Sequence, residues 1–485
     1  MLRVWHIGAQ SVWIDEYLTL EVATPKPGYP LWQLLRHNIH GPLHAFAIYM
    51  FSLVSNHDAW LRLPSAIAGT ATVPLAFAWM RPRFGARAAC WGALLLAVNP
   101  LHVHYSQEIR NYAFVVFFAM AAAVAVDRLV QAGTARRTIG YAVCVAASVL
   151  SNFSATFSFV AQAVSYFRRA RVSRNTVLRF AAATLVVLAL ISPWIYRVTT
   201  YIDFGKLATP VRPGQLDAAE RLRGDTTFRI ESVPYAAFTY SVGFTLGPSL
   251  RELHDVTSIG GVAAKHAPVV AWVALLFGGL VLVGIVRGAR MHGRWAVLET
   301  ILYVVIPLAA TLVLNWQNAK AFNVRYVLVG LPMYLALVAV GIDVLRPRAR
   351  AVAGALVVAT CAWSLWNHYA DPRYAKEDVR AAVRAIDARI VPGECIFAPT
   401  VWQVVERYHA TPAPVRFVFR EPSGRLMQDE LARLVVQCSG LWYVRARPWV
   451  DDADGRILSE IDARYVREET LEFPGVSAIH FLRKP

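Results

Sequence analysis

Two adjacent carboxylates near the amino terminus are the first residues whose types could do chemistry. Asp15 and Glu16 lie in the stretch Ser11 to His44, upstream of the HGPL turn that begins at His40. A carboxylate within hydrogen-bond reach can remove the proton of an attacking hydroxyl or amine, and we predict this general-base role for Asp15. Because adjacent residues on an extended segment point to opposite sides, we predict that Glu16 orients the acceptor or the loop. The alternative is a pair that is simply solvated.

The composition indicates what kind of protein holds these acids. The chain has 485 residues, of which 56% are hydrophobic and 17% are charged, and its mean hydropathy is +0.40. The hydrophobic fraction is higher and the charged fraction lower than in ordinary soluble domains, which indicates a polytopic membrane protein. The net charge of +17 could suggest nucleic-acid binding. However, the arginines lie in short loops between apolar runs, where the positive-inside rule predicts them.

Ten apolar runs could cross a membrane if tilt is allowed for. They are Leu63 to Met80, Ala88 to His104, Tyr112 to Val130, Thr138 to Leu150, Phe153 to Phe167, Val177 to Trp194, Pro268 to Val286, Ala296 to Leu314, Val324 to Val344 and Ala351 to Trp366. Five basic loops occur at every second connection, which predicts that they are cytoplasmic. They are Arg81 to Arg87, Gln131 to Arg137, Arg168 to Arg174, Arg287 to Arg294 and Arg346 to Arg350. Residues 196–266 then form an outer loop.

This alternation places the front of the chain outside the cytoplasm. If the run Leu63 to Met80 is directed inward, residues 1–62 form an extracytoplasmic acid loop, and Pro42 to Val54 is a helix at the membrane interface. The first ten residues contain nothing that could carry the amino terminus across. Either a preceding transmembrane helix is missing, or the following span translocates this loop. We favour a missing helix that would end in the fragment LRVWHIG.

The tail, residues 371–485, differs from the transmembrane domain of residues 63–370. Charged helical patterns alternate with short β-rich runs, which predicts a small α/β domain, and the loop alternation places it outside. The predicted helices are Tyr374 to Ile390, Arg425 to Gln437 and Arg456 to Arg467, and the predicted strands are Cys395 to Ala398, Val415 to Phe419, Leu441 to Arg445 and Ser477 to Leu482. Cys395 and Cys438 could form a disulfide outside the cytoplasm, the alternative being two free thiols.

Three arginines at the ends of apolar runs could bind a phosphate at the membrane surface. Arg62 precedes the first run, Arg110 precedes the run that begins at Tyr112, and Arg325 opens the stretch RYVLVGLP. A guanidinium can donate two parallel hydrogen bonds to phosphate oxygens. The alternative is that these arginines anchor the helices by reaching the lipid headgroups.

Further polar residues are predicted to line a pocket near the acids. His40 and His44 flank the Gly-Pro step and are expected to hold the interfacial helix against the acid loop. The others lie in the outward loop LHVHYSQEIRN and are His102, His104, Tyr105, Gln107 and Glu108. The His-x-His spacing could bind a divalent metal only with further ligands, so no metal or other cofactor is predicted.

Six stretches together resemble one family. They are WIDE from Trp13, HGPLH from His40, WLRLPSAIAGTATVPLAF from Trp60, NPLHVHYSQEIRNYAF from Asn99, GFTLGPSLRELH from Gly243 and RYVLVGLP from Arg325. In this order they resemble the family 39 type glycosyltransferases, relatives of the protein O-mannosyltransferases and of the bacterial enzyme that adds aminoarabinose to lipid A. The resemblance implies a polytopic α-helical membrane protein with the GT-C fold.

The resemblance also implies a reaction. Such enzymes transfer a sugar from a polyprenyl-phosphate carrier to an acceptor on the outer face of the membrane, with inversion at the anomeric carbon. Their first extracytoplasmic loop carries the acid pair, here Asp15 and Glu16, and a span normally precedes it. We therefore predict an inverting glycosyltransferase of the cytoplasmic (inner) membrane that acts on a protein, lipid or polysaccharide.

Two other functions remain open at this stage. A transporter or flippase of lipid-linked glycans would also need many spans and basic sites for lipid phosphate, but no outward acid pair and no appended outer domain. An O-antigen ligase or polymerase would use a diphosphate-linked oligosaccharide. That class typically relies on a large outer loop late in the chain.

Overall fold

The computed structural model describes residues 1–24, 41–200, 231–255, 259–316, 322–418, 425–452 and 455–484. Within these ranges a helical membrane region is followed by a small domain with a five-stranded sheet. His40 and part of the predicted outer loop, residues 201–230 and 256–258, lie outside the described residues.

The ten predicted apolar runs fall on helical segments of the membrane region, which also has helices outside those runs. In chain order they are α1 (Ile14–Ala23), α2 (Pro42–Ser52), α3 (Asp58–Val98), α4 (Pro100–Ser106), α5 (Tyr112–Gln131), α6 (Ala135–Ser151), α7 (Thr156–Arg169), α8 (Arg174–Thr199), α9 (Ser232–Val242), α10 (Leu250–Asp255), α11 (Ile259–Lys265), α12 (Ala267–His292), α13 (Arg294–Trp316), α14 (Leu331–Asp343) and α15 (Pro347–Ala370). Short 3-10 turns lie at Phe153–Ala155, Val324–Tyr326 and Leu328–Gly330. Among the described residues, six helices are long and apolar enough to cross a membrane, so the chain is a multi-pass membrane protein.

Helix α3 contains two of the predicted runs because it folds back at Gly85. The φ of 81° and ψ of 169° at Gly85 are not helical, and glycine tolerates a positive φ at little cost. The two halves pack together closely, since a Cβ on Gly92 would lie 2.2 Å from the Sδ atom of Met80. The predicted basic loop Arg81 to Arg87 is this turn.

A buried ion-pair cluster joins the helix ends that carry basic loops. Arg83 Nη1 lies 2.6 Å from Asp127 Oδ2, and its Nη2 lies 2.7 Å from Glu299 Oε1. Arg169 Nη1 lies 2.5 Å from Asp127 Oδ1, and Ser165 Oγ donates to Glu299 Oε1 at 2.5 Å. Helices α3, α5, α7 and α13 therefore meet at one end of the bundle, and the basic loops at Arg83 and Arg169 share that end.

The carboxy-terminal domain has helices on both faces of a mixed sheet. Its strands are β1 (Cys395–Phe397), β2 (Val415–Arg416), β3 (Gly440–Arg445), β4 (Tyr465–Phe473) and β5 (Val476–Arg483), and its helices are α16 (Val379–Asp387), α17 (Trp402–Tyr408), α18 (Arg425–Gln437), α19 (Pro448–Asp451) and α20 (Arg456–Arg464). The strand order is β2-β1-β3-β5-β4, with β1 parallel to β2 and β3 and the other pairs antiparallel. The predicted α/β domain is confirmed.

The sheet alternates its side chains between two cores. Ile396 and Trp442 pack with α16 and α17, whereas Phe397 and Tyr443 pack with α18 and α20. Cys395 and Cys438 form a disulfide with a Cα–Cα distance of 5.7 Å, which answers the question that the sequence left open.

Several elements of this domain differ from the sequence-based predictions, which gave no helix at α17 or α19. The predicted helix Arg456 to Arg467 ends at Arg464, and the chain continues as strand β4, which the sequence did not predict. Among the described residues, strand β4 pairs with β5 alone at the edge of the sheet, and most of its side chains are at least partly exposed, so its apolar alternation is weak. The predicted helix Tyr374 to Ile390 is shortened to α16, which begins after Asp378, whose carboxylate accepts the Ala381 N–H.

Candidate active site

The acid pair lies in the first turn of α1 and not on an extended loop, which corrects the prediction for this segment. The Trp13 backbone N–H donates to Glu16 Oε2 at 3.4 Å, and carboxylates in a first turn are stabilised by the positive end of the helix dipole. Adjacent side chains on a helix diverge by about 100°. Asp15 and Glu16 therefore still face different surroundings.

Glu16 is fully buried and forms a bidentate ion pair with Arg62. Arg62 Nε donates to Glu16 Oε1 at 2.9 Å and Nη2 donates to Oε2 at 2.8 Å. The other three N–H groups of Arg62 donate to the carbonyl oxygens of Ile7, Gln10 and Ser11 at 2.8, 2.8 and 3.2 Å. A guanidinium has five donors, so none remains for a phosphate. We therefore leave Arg62 out of the phosphate site, contrary to the sequence-based assignment.

Glu16 also connects α1 to the loop that follows α4. The Ile109 N–H donates to Glu16 Oε1 at 2.8 Å, and the Lys376 ammonium lies 3.9 Å from Glu16 Oε2. Burial opposes ionisation, but the charges of Arg62 and Lys376 hold the pKa of Glu16 below its usual range. The Glu16 carboxylate, whose side chain is 0% exposed, thus connects α1 to α3, to the loop after α4 and to the segment that carries Lys376.

Asp15 is the accessible member of the pair. Its side chain is 24% exposed, and Oδ2 lies 2.9 Å from Arg325 Nη1. Arg110 Nη1 donates to the Asp15 carbonyl at 2.8 Å and to Thr19 Oγ1 at 3.0 Å. One accessible carboxylate and two guanidinium groups therefore meet at the start of α1.

The two arginines share an aromatic neighbour. The Cζ atoms of Arg110 and Arg325 lie 5.7 and 5.9 Å from the ring centroid of Tyr112, and Arg325 Cζ lies 5.4 Å from the Tyr326 ring. The Tyr105 ring packs edge-on against Tyr112 at 4.9 Å. Aromatic rings restrict a guanidinium without using its hydrogen-bond donors. This arrangement could hold an anionic group.

Two of the predicted pocket histidines belong to the protein interior. His44 Nε2 lies 3.3 Å from Ser65 Oγ, and His102 Nδ1 lies 2.8 Å from Arg3 Nη2. Both histidines are 2% exposed. Burial and the Arg3 charge lower the pKa of His102 well below its usual value, so its ring is neutral at physiological pH.

Glu108, His104 and Gln107 lie around a lysine that the sequence did not single out. Lys376 Nζ lies 2.7 Å from Glu108 Oε1, and His104 Nε2 lies 3.2 Å from the same oxygen. Gln107 Oε1 lies 3.1 Å from His368 Nε2. Burial raises the pKa of Glu108, but Lys376 and His104 outweigh it and hold that pKa far below its usual range. Lys376 is a single lysine in a polar stretch, so no motif could have revealed it.

A small pocket of about 390 Å³, its open mouth included, lies beside this cluster. It is lined by His6, Ile7, Ala9, Gln10, Arg62, His104, Gln107, His368, Tyr369 and Lys376. Asp15 does not line it, so the pocket and the accessible carboxylate are separate features. Among the described residues, no group of three or more His, Cys, Asp or Glu side chains could hold a metal ion. The absence of a cofactor stays a prediction.

Solved structures with the same architecture identify the fold. ArnT from Cupriavidus metallidurans in the apo state superposes with a TM-score of 0.55 at 12% identity, covering 99% of this chain and 95% of ArnT. The chain has the GT-C fold. ArnT bound to undecaprenyl phosphate gives a TM-score of 0.52 at 11% identity, covering 99% and 96% of the two chains. The apo oligosaccharyltransferase of Archaeoglobus fulgidus gives 0.51 at 13% identity, covering 100% of this chain and 73% of that enzyme.

A sequence-family comparison points the same way for part of this GT-C chain. Residues 39–196 match the family described as dolichyl-phosphate-mannose-protein mannosyltransferase. A comparison with curated protein sequences gave no significant match. The matched family and the shared fold indicate a GT-C glycosyltransferase, as the sequence predicted.

Proposed function

We propose that this protein transfers a sugar from a polyprenyl-phosphate carrier to an acceptor at the outer face of the cytoplasmic membrane. The observation that carries the proposal is the meeting of Asp15, Arg110 and Arg325 at the start of α1, with Asp15 Oδ2 2.9 Å from Arg325 Nη1. A base for the acceptor and cations for the leaving phosphate are the two requirements of this reaction. The structural similarity to ArnT bound to undecaprenyl phosphate supports the choice of donor.

The arrangement assigns a role to each side chain in a single displacement. The acceptor oxygen or nitrogen attacks the anomeric carbon while Asp15 takes its proton. The bond from the anomeric carbon to the phosphate oxygen breaks, and the electron pair leaves with the polyprenyl phosphate. Arg110 and Arg325 stabilise the charge that grows on that phosphate. Attack opposite the leaving group inverts the anomeric carbon.

A transfer assay tests the proposal directly. The purified chain, in lipid nanodiscs, is given undecaprenyl-phosphate-linked pentoses and hexoses together with a cell-envelope extract as the source of acceptor, and released undecaprenyl phosphate is measured. In parallel, cell-envelope glycans are compared by mass spectrometry before and after deletion of the gene. We expect release from one donor and loss of one glycan modification. A folded protein that consumes no donor, with unchanged glycans in the deletion strain, would contradict the proposal, and a transporter would move the carrier without consuming it.

Replacing Arg325 should weaken use of the donor. We expect Arg325→Met to raise the donor KM by about tenfold to hundredfold, because the substitution removes a charged guanidinium that donates hydrogen bonds to the donor phosphate. Arg325→Lys should restore only part of the affinity, since an ammonium cannot form the two parallel bonds. Steady-state kinetics with varied donor, and competition by free undecaprenyl phosphate, measure the effect.

The control is Arg433→Met, which removes an exposed arginine paired with Glu430 in the carboxy-terminal domain. We expect the donor KM of this variant to equal that of the wild type. If Arg325→Met leaves the donor KM unchanged, Arg325 does not bind the phosphate.

We also propose that the carboxy-terminal domain and the acid helix face the same, extracytoplasmic side. The domain touches the amino-terminal segment directly, since the Val12 N–H donates to Tyr408 Oη at 2.9 Å. The Cys395–Cys438 disulfide supports an oxidising compartment. The basic turn at Arg83 and the loop at Arg169 meet at the cluster that α3, α5, α7 and α13 form, and basic loops favour the cytoplasmic side.

Cysteine labelling in intact cells should show on which side of the membrane the carboxy-terminal domain and the basic loops lie. Thr470→Cys places a thiol on exposed strand β4, and Arg136→Cys places one at the exposed start of helix α6, in the predicted basic stretch Gln131 to Arg137. With Cys90, Cys144 and Cys361 replaced by serine, we expect a membrane-impermeant maleimide to label position 470 and to spare position 136 until the cells are opened. The reverse pattern would place the carboxy-terminal domain in the cytoplasm.

A further inference from the structure

We propose that Lys376, from the carboxy-terminal domain, is a positioning residue for sugar transfer that acts through Glu108. This inference rests on the proposed function, because it assigns Lys376 to the same site. It makes the carboxy-terminal domain a part of the catalytic unit. Acceptor recognition alone would not require such a contact.

Lys376 projects from the domain into the membrane region. It lies between a 3-10 turn at Pro372–Tyr374 and helix α16, yet its Nζ is 2.7 Å from Glu108 Oε1, in the loop after α4. The lysine side chain is 14% exposed and the glutamate is 1% exposed. An ion pair so far removed from solvent is weakly screened, so its loss is costly.

Lys376 is needed to neutralise the negative charge of Glu108, which lies near the second buried carboxylate, Glu16. The groups that face Glu108 are His104 and Tyr105 from α4, His368 from α15, Lys376 from the carboxy-terminal domain and the carboxylate of Glu16 from α1. Arg62 is fully engaged by Glu16 and three carbonyls. Among the described residues, Lys376 is therefore the lysine or arginine side chain that contacts Glu108. Without it, two buried carboxylates would repel each other.

Glu108 is placed where a displacement would reach the reacting groups. The next residue, Ile109, donates its N–H to Glu16 Oε1 at 2.8 Å. The residue after it, Arg110, donates to the Asp15 carbonyl at 2.8 Å. A shift of Glu108 would thus move both the proposed phosphate ligand and the helix that carries the proposed base. Displacements of about 1 Å can cost about a hundredfold in rate.

Other contacts hold the domain in place when Lys376 is altered. Arg380 Nη1 donates to the Gly8 carbonyl at 3.1 Å, and Arg407 Nη2 lies 2.7 Å from Asp58 Oδ1. Substitution of Lys376 is therefore expected to disturb the site without undocking the domain.

The test compares five proteins in the donor assay. They are the wild type, Lys376→Met, Lys376→Arg, the double variant Lys376→Met with Glu108→Gln, and Lys265→Met. The last is a matched control, because Lys265 also pairs with a glutamate, Glu252, but is exposed and far along the chain from the site. Thermal melting of each protein in detergent shows whether it is folded.

We expect Lys376→Met to lose at least about tenfold in kcat/KM, because it leaves the buried Glu108 carboxylate without its lysine partner. Lys376→Arg should recover most of the activity. The double variant should also recover, because Glu108→Gln removes the carboxylate charge that Lys376 neutralised. Lys265→Met should match the wild type.

The pH profile separates positioning from a loss of stability. Without Lys376 the pKa of Glu108 rises, so lowering the pH protonates its carboxyl and removes the repulsion. The ratio of Lys376→Met to wild-type kcat/KM should therefore increase from about pH 8 to about pH 6, and this trend should vanish in the double variant. A purely structural defect would be the same at every pH.

The outcomes separate this inference from the proposed function. No transfer by the wild-type protein would overturn both. Transfer by the wild type, with Lys376→Met equal to Lys265→Met at every pH, would overturn the role of Lys376 alone. A defect that neither varies with pH nor recovers in the double variant would also overturn positioning through Glu108.

Discussion

Replacing Asp15 by asparagine should lower kcat for sugar transfer by about 10²- to 10⁴-fold, the range that general-base catalysis contributes. Asparagine keeps the size of the side chain and cannot take the acceptor proton. Binding of the donor should be unchanged or tighter, because the variant removes a carboxylate that engages Arg325 Nη1 at 2.9 Å. Single-turnover transfer and competition by undecaprenyl phosphate measure the two effects separately.

The matched control for this prediction lies on the same helix. Glu21→Gln removes another partly exposed carboxylate of α1 and should leave kcat unchanged. A folded Asp15→Asn protein with wild-type turnover would remove Asp15 as the base. Equal losses in the two variants would instead indicate a general effect of the charge of α1.

Replacing Arg62 by methionine should have the largest effect on stability. Methionine roughly preserves the length of the side chain but leaves Glu16, which is 0% exposed, without the guanidinium that binds both its oxygens. Breaking one side of a buried ion pair typically costs about 3–5 kcal/mol. Three backbone carbonyls near the amino terminus would also lose their donor. Thermal melting of the purified protein measures the loss.

Two further variants test the reason for that loss. Adding Glu16→Gln to Arg62→Met should restore part of the stability, because the buried charge is gone. Arg373→Met, which removes an exposed arginine paired with Asp371, should change stability by less than about 1 kcal/mol. If Arg62→Met melts like Arg373→Met and raises only the donor KM, Arg62 is a phosphate ligand after all.

The predictions that depended on local pattern agree with the structure. Each apolar run falls on helical segments, because hydrophobic length and the Pro, Gly and basic residues that bound it are properties of neighbouring residues. The α/β character of the tail follows from the same kind of local alternation. Strand β4 was missed because an edge strand with exposed side chains needs no regular apolar spacing.

The candidate site was predicted only as a set of residue types. The sequence marked Asp15, Glu16, Arg110 and Arg325 as groups suited to base catalysis and phosphate binding. It could not separate Arg62 from the other two arginines, because the difference lies in what each guanidinium touches. Arg62 meets Glu16 across 46 residues, whereas Arg325 meets Asp15 across 310 residues.

The sequence by itself determined that this is a multi-pass membrane protein, where its apolar runs lie and which charged groups its acid segment offers. Only the tertiary structure decided that Asp15 is accessible and Glu16 buried, and that Lys376 reaches Glu108 from the carboxy-terminal domain. The physical reason is the range of the interactions. Hydrophobic periodicity is fixed by near neighbours along the chain, but burial and ion pairing depend on segments that meet only after folding.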